Sequence, residues 1–329
     1  MSRLRLSLAM SDYDHVRDFT KGTVEAGGID ITYLELSVEE TFHRFTNFRE
    51  WDVSEMSMGK YVSLLSRDDT SLAAIPVFPS RIFRQSSIFV RAGSGIERAQ
   101  DLAGKRVGVP EWAQTAAIYT RAYLTHQVGI ALADIDWYQA GVNQPGRAEK
   151  VGIDLPEGVR YTTVPDRSLD EMLLAGDLDA IMTARAPASF LRGEPGVVRL
   201  FANYRDVEEA YYRETGIFPI MHTIAIRRAV LDEHPWIAMN LFKAFDEAKR
   251  RSMARMIDVT APRVPIPWCF EHAARAKELF GNDYWPYGVE PNRTTLDAFL
   301  EFAHEQGVCR RKLNVEELFP KEVQSFFKV

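Results

Sequence analysis

The sequence predicts an α/β protein with a mostly parallel sheet covered by helices, and three observations carry that reading. Strand-like and helix-like segments alternate over the first 65 residues. A second strand-and-helix series begins at Ile88-Phe89-Val90. Polar residues gather at the carboxyl ends of the predicted strands, which is where open sheets of this kind bind ligands.

Residues 3–9 alternate apolar and polar side chains and then meet Ser11-Asp12-Tyr13-Asp14, so a first strand ends in a polar loop. A second strand is expected over residues 31–36. Ser37-Val38-Glu39-Glu40 has capping-box spacing, and Val38, Phe42, Phe45 and Phe48 recur behind it at helical intervals. Residues 52–57 read as a short strand that brings Glu55 and Ser57 to its carboxyl end, before a helix through Tyr61, Leu64 and Leu65.

Phe78-Pro79-Ser80-Arg81-Ile82-Phe83-Arg84 reads as an extended loop, because proline fixes its own φ and disfavours helical geometry in the residue before it. Its two arginines stand three residues apart among aromatic rings. Guanidinium forks bind carboxylates and stack on ring faces, so the pair suits an aromatic acid. A solvated surface loop is the competing reading.

In the second series, Asp101-Leu102-Ala103-Gly104-Lys105 leads into a strand over residues 106–109. A helix follows from about Gln114, and its first amides near Thr115 are free to meet an anion. Ser168-Leu169-Asp170-Glu171 is another capping-box pattern, with Gly176 as the stop. Residues 179–183 form a buried strand that delivers Thr183 and Arg185. Residues 223–227 alternate like a strand, and the chain is mainly helical from Pro235-Trp236 onward, restarting near Thr294-Thr295.

With 329 residues, 46% hydrophobic and 26% charged, the chain has material for about two domains and is not disordered. A net charge of −6 provides no basic stripe for phosphates, so nucleic acid is not an expected partner. The two cysteines, Cys269 and Cys309, form no close pair, which argues against a disulfide framework or a zinc site.

The seven histidines show neither His-x-His nor His-Glu-x-x-His spacing, and Gly93-Ser94-Gly95 lacks the third glycine of a dinucleotide fingerprint. No metal and no organic cofactor is expected. The N-terminal residues reach Asp12 and Asp14 without an apolar signal core, and no apolar run is long enough to span a membrane. The cytoplasm is the expected location.

The segment from Asp101 to Val109, and Gly176-Asp177-Leu178-Asp179-Ala180 before a strand, resemble type 2 periplasmic-binding-protein folds. Four further stretches are narrower: Ser11-Asp12-Tyr13-Asp14, Ala74-Ile75-Pro76-Val77-Phe78-Pro79-Ser80-Arg81, Gly216-Ile217-Phe218-Pro219-Ile220-Met221-His222-Thr223, and Trp285-Pro286-Tyr287-Gly288-Val289-Glu290-Pro291-Asn292-Arg293. Together they resemble the 4,5-dihydroxyphthalate decarboxylase family, nearly end to end. The resemblance implies a two-lobed α/β fold with a ligand cleft between the lobes. One lobe would hold residues 1–92 and 215–329, and the other residues 93–214.

The reaction so implied converts 4,5-dihydroxyphthalate to 3,4-dihydroxybenzoate and carbon dioxide. An aryl anion is too unstable to form unassisted, so the ring carbon must be protonated before carbon dioxide leaves. That route needs a clamp for the retained carboxylate, a base near the phenol and an acid over the ring carbon. Arg81 and Arg84 are the clamp candidates, with Arg185 and the amides near Thr115. His222 is the candidate for proton transfer, since imidazole titrates near neutrality.

Asp12 and Glu55 are candidates for phenol base or hydroxyl acceptor, and Ser11, Tyr13 and Ser57 for orienting the ring. Asp12 as a helix cap and Glu55 as an arginine partner stay open. Arg147 belongs either to the cleft or to a surface loop. Trp285, Tyr287 and Arg293 either wall the site or pack in the core. The competing functions are a non-catalytic carboxylate-binding protein and an enzyme for a different aromatic acid, which the fold by itself does not separate.

Overall fold

Burial rises along Leu4–Met10 toward its carboxyl end, and this segment, β1, is the strand against which the first sheet assembles. The computed structural model describes residues 3–325. β2 (Ile29–Glu35) and β3 (Val53–Ser57) lie parallel to β1 on either side. β4 (Leu72–Ile75) is an edge strand of the same sheet.

A second sheet takes β5 (Ile88–Arg91), β6 (Arg106–Val109), β7 (Asp136–Gly141), β8 (Arg160–Ser168), β9 (Ala180–Met182) and β10 (Val197–Arg199), in the order β10-β5-β9-β6-β7-β8. β5 runs antiparallel to β9 and β10, and the remaining pairs are parallel. The chain then returns as β11 (His222–Arg227), which inserts antiparallel between β3 and β4.

Several boundaries follow from local chemistry. Ser37 accepts a hydrogen bond from the Glu40 amide at the start of the helix Val38–Phe48, and Ser168 does the same for Glu171 at the start of Leu169–Ala175. Gly176 ends the latter helix with φ of 82°, a left-handed geometry that glycine adopts without a Cβ penalty. Phe42 and Phe45 are buried on one helix face, but Phe48 is exposed at the last turn.

The expected lobe division at residue 92 needs a correction, because β5 hydrogen-bonds within the six-stranded sheet. Ile88-Phe89-Val90 is apolar on both faces, so its sequence fits a central position in either sheet. Its hydrogen-bond partners decide the matter.

Two passages join the sheets, residues 76–87 and 216–221, and they pair with each other. Arg81 bridges Ile220 in antiparallel fashion, and the Met221 amide donates to Ser80 O at 2.8 Å. The late helix Arg293–Glu305 packs on both Met58–Leu65 and Thr115–Ala122, so it touches elements attached to each sheet. Just beyond it, Gln306 accepts from Arg121 Nε at 2.8 Å and donates to Ile118 O at 2.9 Å. Among the described residues no helix is long and apolar enough to cross a membrane.

Candidate active site

The register of β3 against β11 sets His222 opposite Ser57 and Ile224 opposite Glu55. Glu55 and His222 are therefore diagonal neighbours on one face, close enough for long side chains to meet. His222 Nδ1 lies 2.6 Å from Glu55 Oε1, and the Tyr13 hydroxyl donates to the same oxygen at 2.6 Å. The Ser11 amide donates to Oε2 at 3.0 Å. Glu55 is fully buried.

Burying an unpaired carboxylate costs several kcal/mol, whereas each hydrogen bond to a charged group contributes about 1.5–3 kcal/mol. Burial alone pushes the Glu55 carboxyl up, but its bonds to His222, Tyr13 and Ser11 outweigh burial and hold it below the usual carboxylate range. Glu55 is thus an anion fixed against Nδ1. Nε2 is the ring nitrogen left to work on a ligand. Phe42 meets the His222 ring edge to face, with centroids 4.8 Å apart, and limits its rotation.

His222 lines a cavity of about 800 Å³ that contains residues from both sheets and from the loop of residues 141–147. That volume falls within the usual range for small-molecule sites. Five cationic side chains line it, Lys60, Arg84, Arg147, Lys150 and Arg185, against only two carboxylates, Glu39 and Glu111. A chain of net charge −6 has therefore concentrated positive charge in its cavity.

The five cations are not equivalent. Arg147 meets Glu111 at 2.6 Å, and Lys60 and Lys150 each lie 3.5 Å from it. Arg185 pairs with Glu39 at 2.7 Å, from one sheet's loops to the other's helix. Arg84 has no ion pair among the described residues. Its Nε points at Met221 Sδ at 3.2 Å, and a guanidinium NH2 group is 3.5 Å from Ala184 O. Burial lowers its pKa to about 10, which leaves it charged at neutral pH.

The two walls meet closely beside this charge. Thr115 Oγ1 is 3.0 Å from Ser57 Oγ and accepts from the Gly59 amide at 3.0 Å. A Cβ on Gly59 would lie 2.6 Å from Ala113 O, so only glycine permits this approach. Gln114, Thr115 and Ala116, at the start of the helix Thr115–Ala122, also line the cavity. Among the described residues no group of three or more His, Cys, Asp or Glu side chains is arranged to hold a metal ion.

The predicted site residues divide into three groups. His222, Ser57, Arg84, Thr115 and Arg185 line the cavity. Glu55, Tyr13 and the Ser11 amide stand behind His222, outside the cavity lining, and Ser11 and Tyr13 hold the Glu55 carboxylate. Asp12 and Arg81 do neither.

Asp12 is held by Arg17 through Nε at 2.9 Å and a guanidinium NH2 group at 2.7 Å, outside the cavity lining. An acid at a strand end follows the backbone direction, and here a cation five residues on takes it. Arg81 is buried in the link between the sheets. It donates to Asn292 Oδ1 and to the Phe218 and Pro286 carbonyls, and lies 4.6 Å from the Phe218 ring centroid. The backbone turns at Arg84, which opens the short 3-10 turn Gln85–Ser87, and the two guanidinium groups meet different partners, so they form no common clamp.

Arg147 belongs to the cavity, and the surface-loop reading gives way. Trp285 donates to Phe78 O at 3.1 Å, Tyr287 is buried, and Arg293 pairs with Glu290 and Glu316, all outside the cavity lining. Lys60, Glu111, Gln114 and Lys150 were not anticipated. Lys60 had a visible signal, a lone cation in the apolar run Met58-Gly59-Lys60-Tyr61-Val62. Glu111 and Lys150 had none, because their meeting depends on how a long loop folds back.

No family profile matches the chain. Similarity to individual proteins is extensive. The chain is 37% identical over 328 residues to 4,5-dihydroxyphthalate decarboxylase from Comamonas testosteroni, covering 99% of both sequences. It is 36% identical over 214 residues to 4,5-dihydroxyphthalate decarboxylase from Pseudomonas putida, covering 65% of this chain and 83% of that one.

Among solved structures, the aliphatic sulphonate binding protein SsuA from Escherichia coli matches with TM-score 0.56 at 12% identity, over 98% of this chain and 99% of that one. A sulfonate-binding protein from Methylobacillus flagellatus matches equally, at 13% identity over 98% and 93%. At that identity the likeness speaks for the fold alone, a two-lobed periplasmic-binding-protein fold. With more than a third of its residues identical over nearly the whole length of the Comamonas protein, the chain belongs to the 4,5-dihydroxyphthalate decarboxylase family.

Proposed function

We propose that this protein removes one carboxyl group from 4,5-dihydroxyphthalate, giving 3,4-dihydroxybenzoate and carbon dioxide. The observation that carries this reading is the Glu55–His222 pair opening onto a cation-lined cavity. A doubly charged aromatic acid suits such a cavity, and the imidazole supplies the proton that the ring carbon requires. Arg84, which has no ion pair among the described residues, anchors the carboxylate that stays. The carboxylate that leaves lies beside the Phe42 ring and away from Arg84, since a charge held by few hydrogen bonds is more easily discharged.

In this scheme His222, protonated on both nitrogens, donates from Nε2 to the ring carbon bearing the leaving group. Electrons come from the oxygen para to that carbon, which becomes carbonyl-like. The carbon–carbon bond then breaks, its electron pair restores the aromatic ring and carbon dioxide departs. Glu55 stabilises the imidazolium before transfer and keeps its tautomer fixed afterwards. One proton from solvent restores His222.

The cytoplasm is the proposed location, supported by two unpaired cysteines. Cell fractionation against a periplasmic marker tests it. For the chemistry, purified protein is incubated with 4,5-dihydroxyphthalate, with and without chelator, while carbon dioxide and 3,4-dihydroxybenzoate are measured. Equal amounts of both products, lost in His222→Ala, are expected. Tight binding without turnover would instead favour a carboxylate-binding protein, and full turnover by His222→Ala would remove His222 from the acid role.

A further inference from the structure

The decarboxylation scheme draws electrons from a ring hydroxyl, and the cavity that His222 lines holds a second ionisable centre, Lys60. Lys60 is only 4% exposed, yet it lines the cavity. Its Nζ is 5.9 Å from the centroid of Phe42, the same ring that meets His222 edge to face at 4.8 Å. Lys60 and His222 therefore both stand beside one aromatic ring of the cavity lining. Glu111, Arg147 and Lys150 surround Lys60, so this wall has three cations around one carboxylate.

We propose that Lys60 binds the substrate hydroxyl para to the departing carboxylate and takes its proton, with Arg147 and Lys150 stabilising the phenolate. This inference rests on the decarboxylase reading. Neutral Lys60 accepts the hydroxyl proton and becomes the ammonium. The phenolate pushes its electron pair toward the ring as His222 protonates the para carbon. When carbon dioxide leaves, the pair returns to oxygen and Lys60 gives the proton back, so Lys60 is unchanged over the cycle and His222 is recharged from solvent.

The charges around Lys60 favour this part. Burial lowers its pKa, Glu111 opposes that change, and Lys150 and Arg147 add to it, leaving a value of about 8. A neutral amine is then accessible near physiological pH, which is how buried lysines serve as bases. The excess of cations that discourages a proton on Lys60 also favours negative charge on a neighbouring oxygen.

The test uses 3,4-dihydroxybenzoate, which keeps both hydroxyls and has no second carboxyl to lose. Ultraviolet difference spectra at pH 7 distinguish neutral from ionised catechol, and calorimetry measures binding. The expected result is an ionised probe on the native protein and a neutral, still bound probe on Lys60→Met. Lys60→Arg keeps the cation but cannot accept a proton, so kcat for 4,5-dihydroxyphthalate should fall at least a hundredfold with KM changed less than about fivefold. The rise of kcat/KM toward pH 8 should disappear in the same variant.

A neutral probe on the native protein, or near-native kcat in Lys60→Arg, overturns the role of Lys60. Ionisation of the probe without turnover of 4,5-dihydroxyphthalate sustains the Lys60 site and sinks the decarboxylase reading. Turnover with a neutral probe does the reverse. Absence of probe binding sinks the site as well.

Discussion

His222 Nδ1 lies 2.6 Å from Glu55 Oε1 although 167 residues separate the two in the chain. The contact exists because β11 returns from the second sheet to lie antiparallel beside β3. Any rearrangement of the link between the sheets would therefore be felt at His222.

Replacing Glu55 with glutamine keeps the shape and removes the charge. General acid catalysis contributes about 10²–10⁴ in rate, so Glu55→Gln should lower kcat/KM by about that factor in steady-state assays. Binding of 3,4-dihydroxybenzoate should change little. A loss smaller than twofold would show that the pair only supports the fold.

The same carboxylate predicts an acid limb of stability. Glu55 and Glu111 are both held below the usual carboxylate range; burial opposes this, and His222 for one and the Lys60, Arg147 and Lys150 charges for the other overcome it. Groups with depressed pKa contribute stability above their unfolded values and lose it as pH falls through their folded values. The melting temperature should fall on acidification below the usual carboxylate range, and less steeply in Glu55→Gln. Parallel curves for the two proteins would contradict the assignment.

Arg84 is the cavity cation without a contact ion pair among the described residues, its nearest acid influence being Glu208. Arg84→Met should weaken binding by about 1.5–3 kcal/mol, the worth of a hydrogen bond to a charged group, seen as a ten- to hundredfold rise in KM. Arg84→Lys should recover only part of this, since lysine lacks the bidentate fork. Unchanged KM in both variants would move the anchor elsewhere.

Arg81 predicts the opposite pattern. Arg81→Met leaves the Phe218 carbonyl and Asn292 Oδ1 without their donor, while Pro286 O keeps Asn292 Nδ2, and each buried orphan costs about 1–3 kcal/mol. Thermal unfolding should shift down by several degrees while the folded fraction keeps its KM. A binding defect at native stability would return Arg81 to the site.

Asp12→Asn and Arg185→Ala serve as contrasts. Both residues sit in partly exposed ion pairs, with Arg17 and Glu39, and such pairs contribute about 0–1 kcal/mol. Asp12→Asn should retain turnover within twofold. Arg185→Ala should make KM less sensitive to added salt, because a cavity-mouth charge steers an anionic substrate.

The amino-acid sequence by itself determined the parts that depend on neighbours along the chain. Ser37 and Ser168 cap helices at the positions their spacing predicts, Gly176 stops one, and the strands near residues 31–36, 52–57, 106–109 and 223–227 all form within a few residues of expectation. β8 escaped notice because it is an edge strand with mostly exposed side chains and little apolar alternation. The motifs around Glu55, Arg84 and His222 were legible because each joins polar residues to a strand end or a proline-bent segment.

Tertiary structure decided which polar groups share a site. Arg81 and Arg84 are neighbours in sequence, yet backbone direction sends one into the buried link and leaves the other at the cavity. Asp12 and Glu55 are both acids at strand ends, but Arg17 captures the first and His222 the second. Glu111 and the loop that carries Arg147 and Lys150 belong to the second sheet's side and Lys60 to the first's, so the four become one electrostatic unit only where the two sides meet. Local pattern sets conformation through short-range sterics and capping, whereas charge pairing at a site depends on distances that only the packed chain defines.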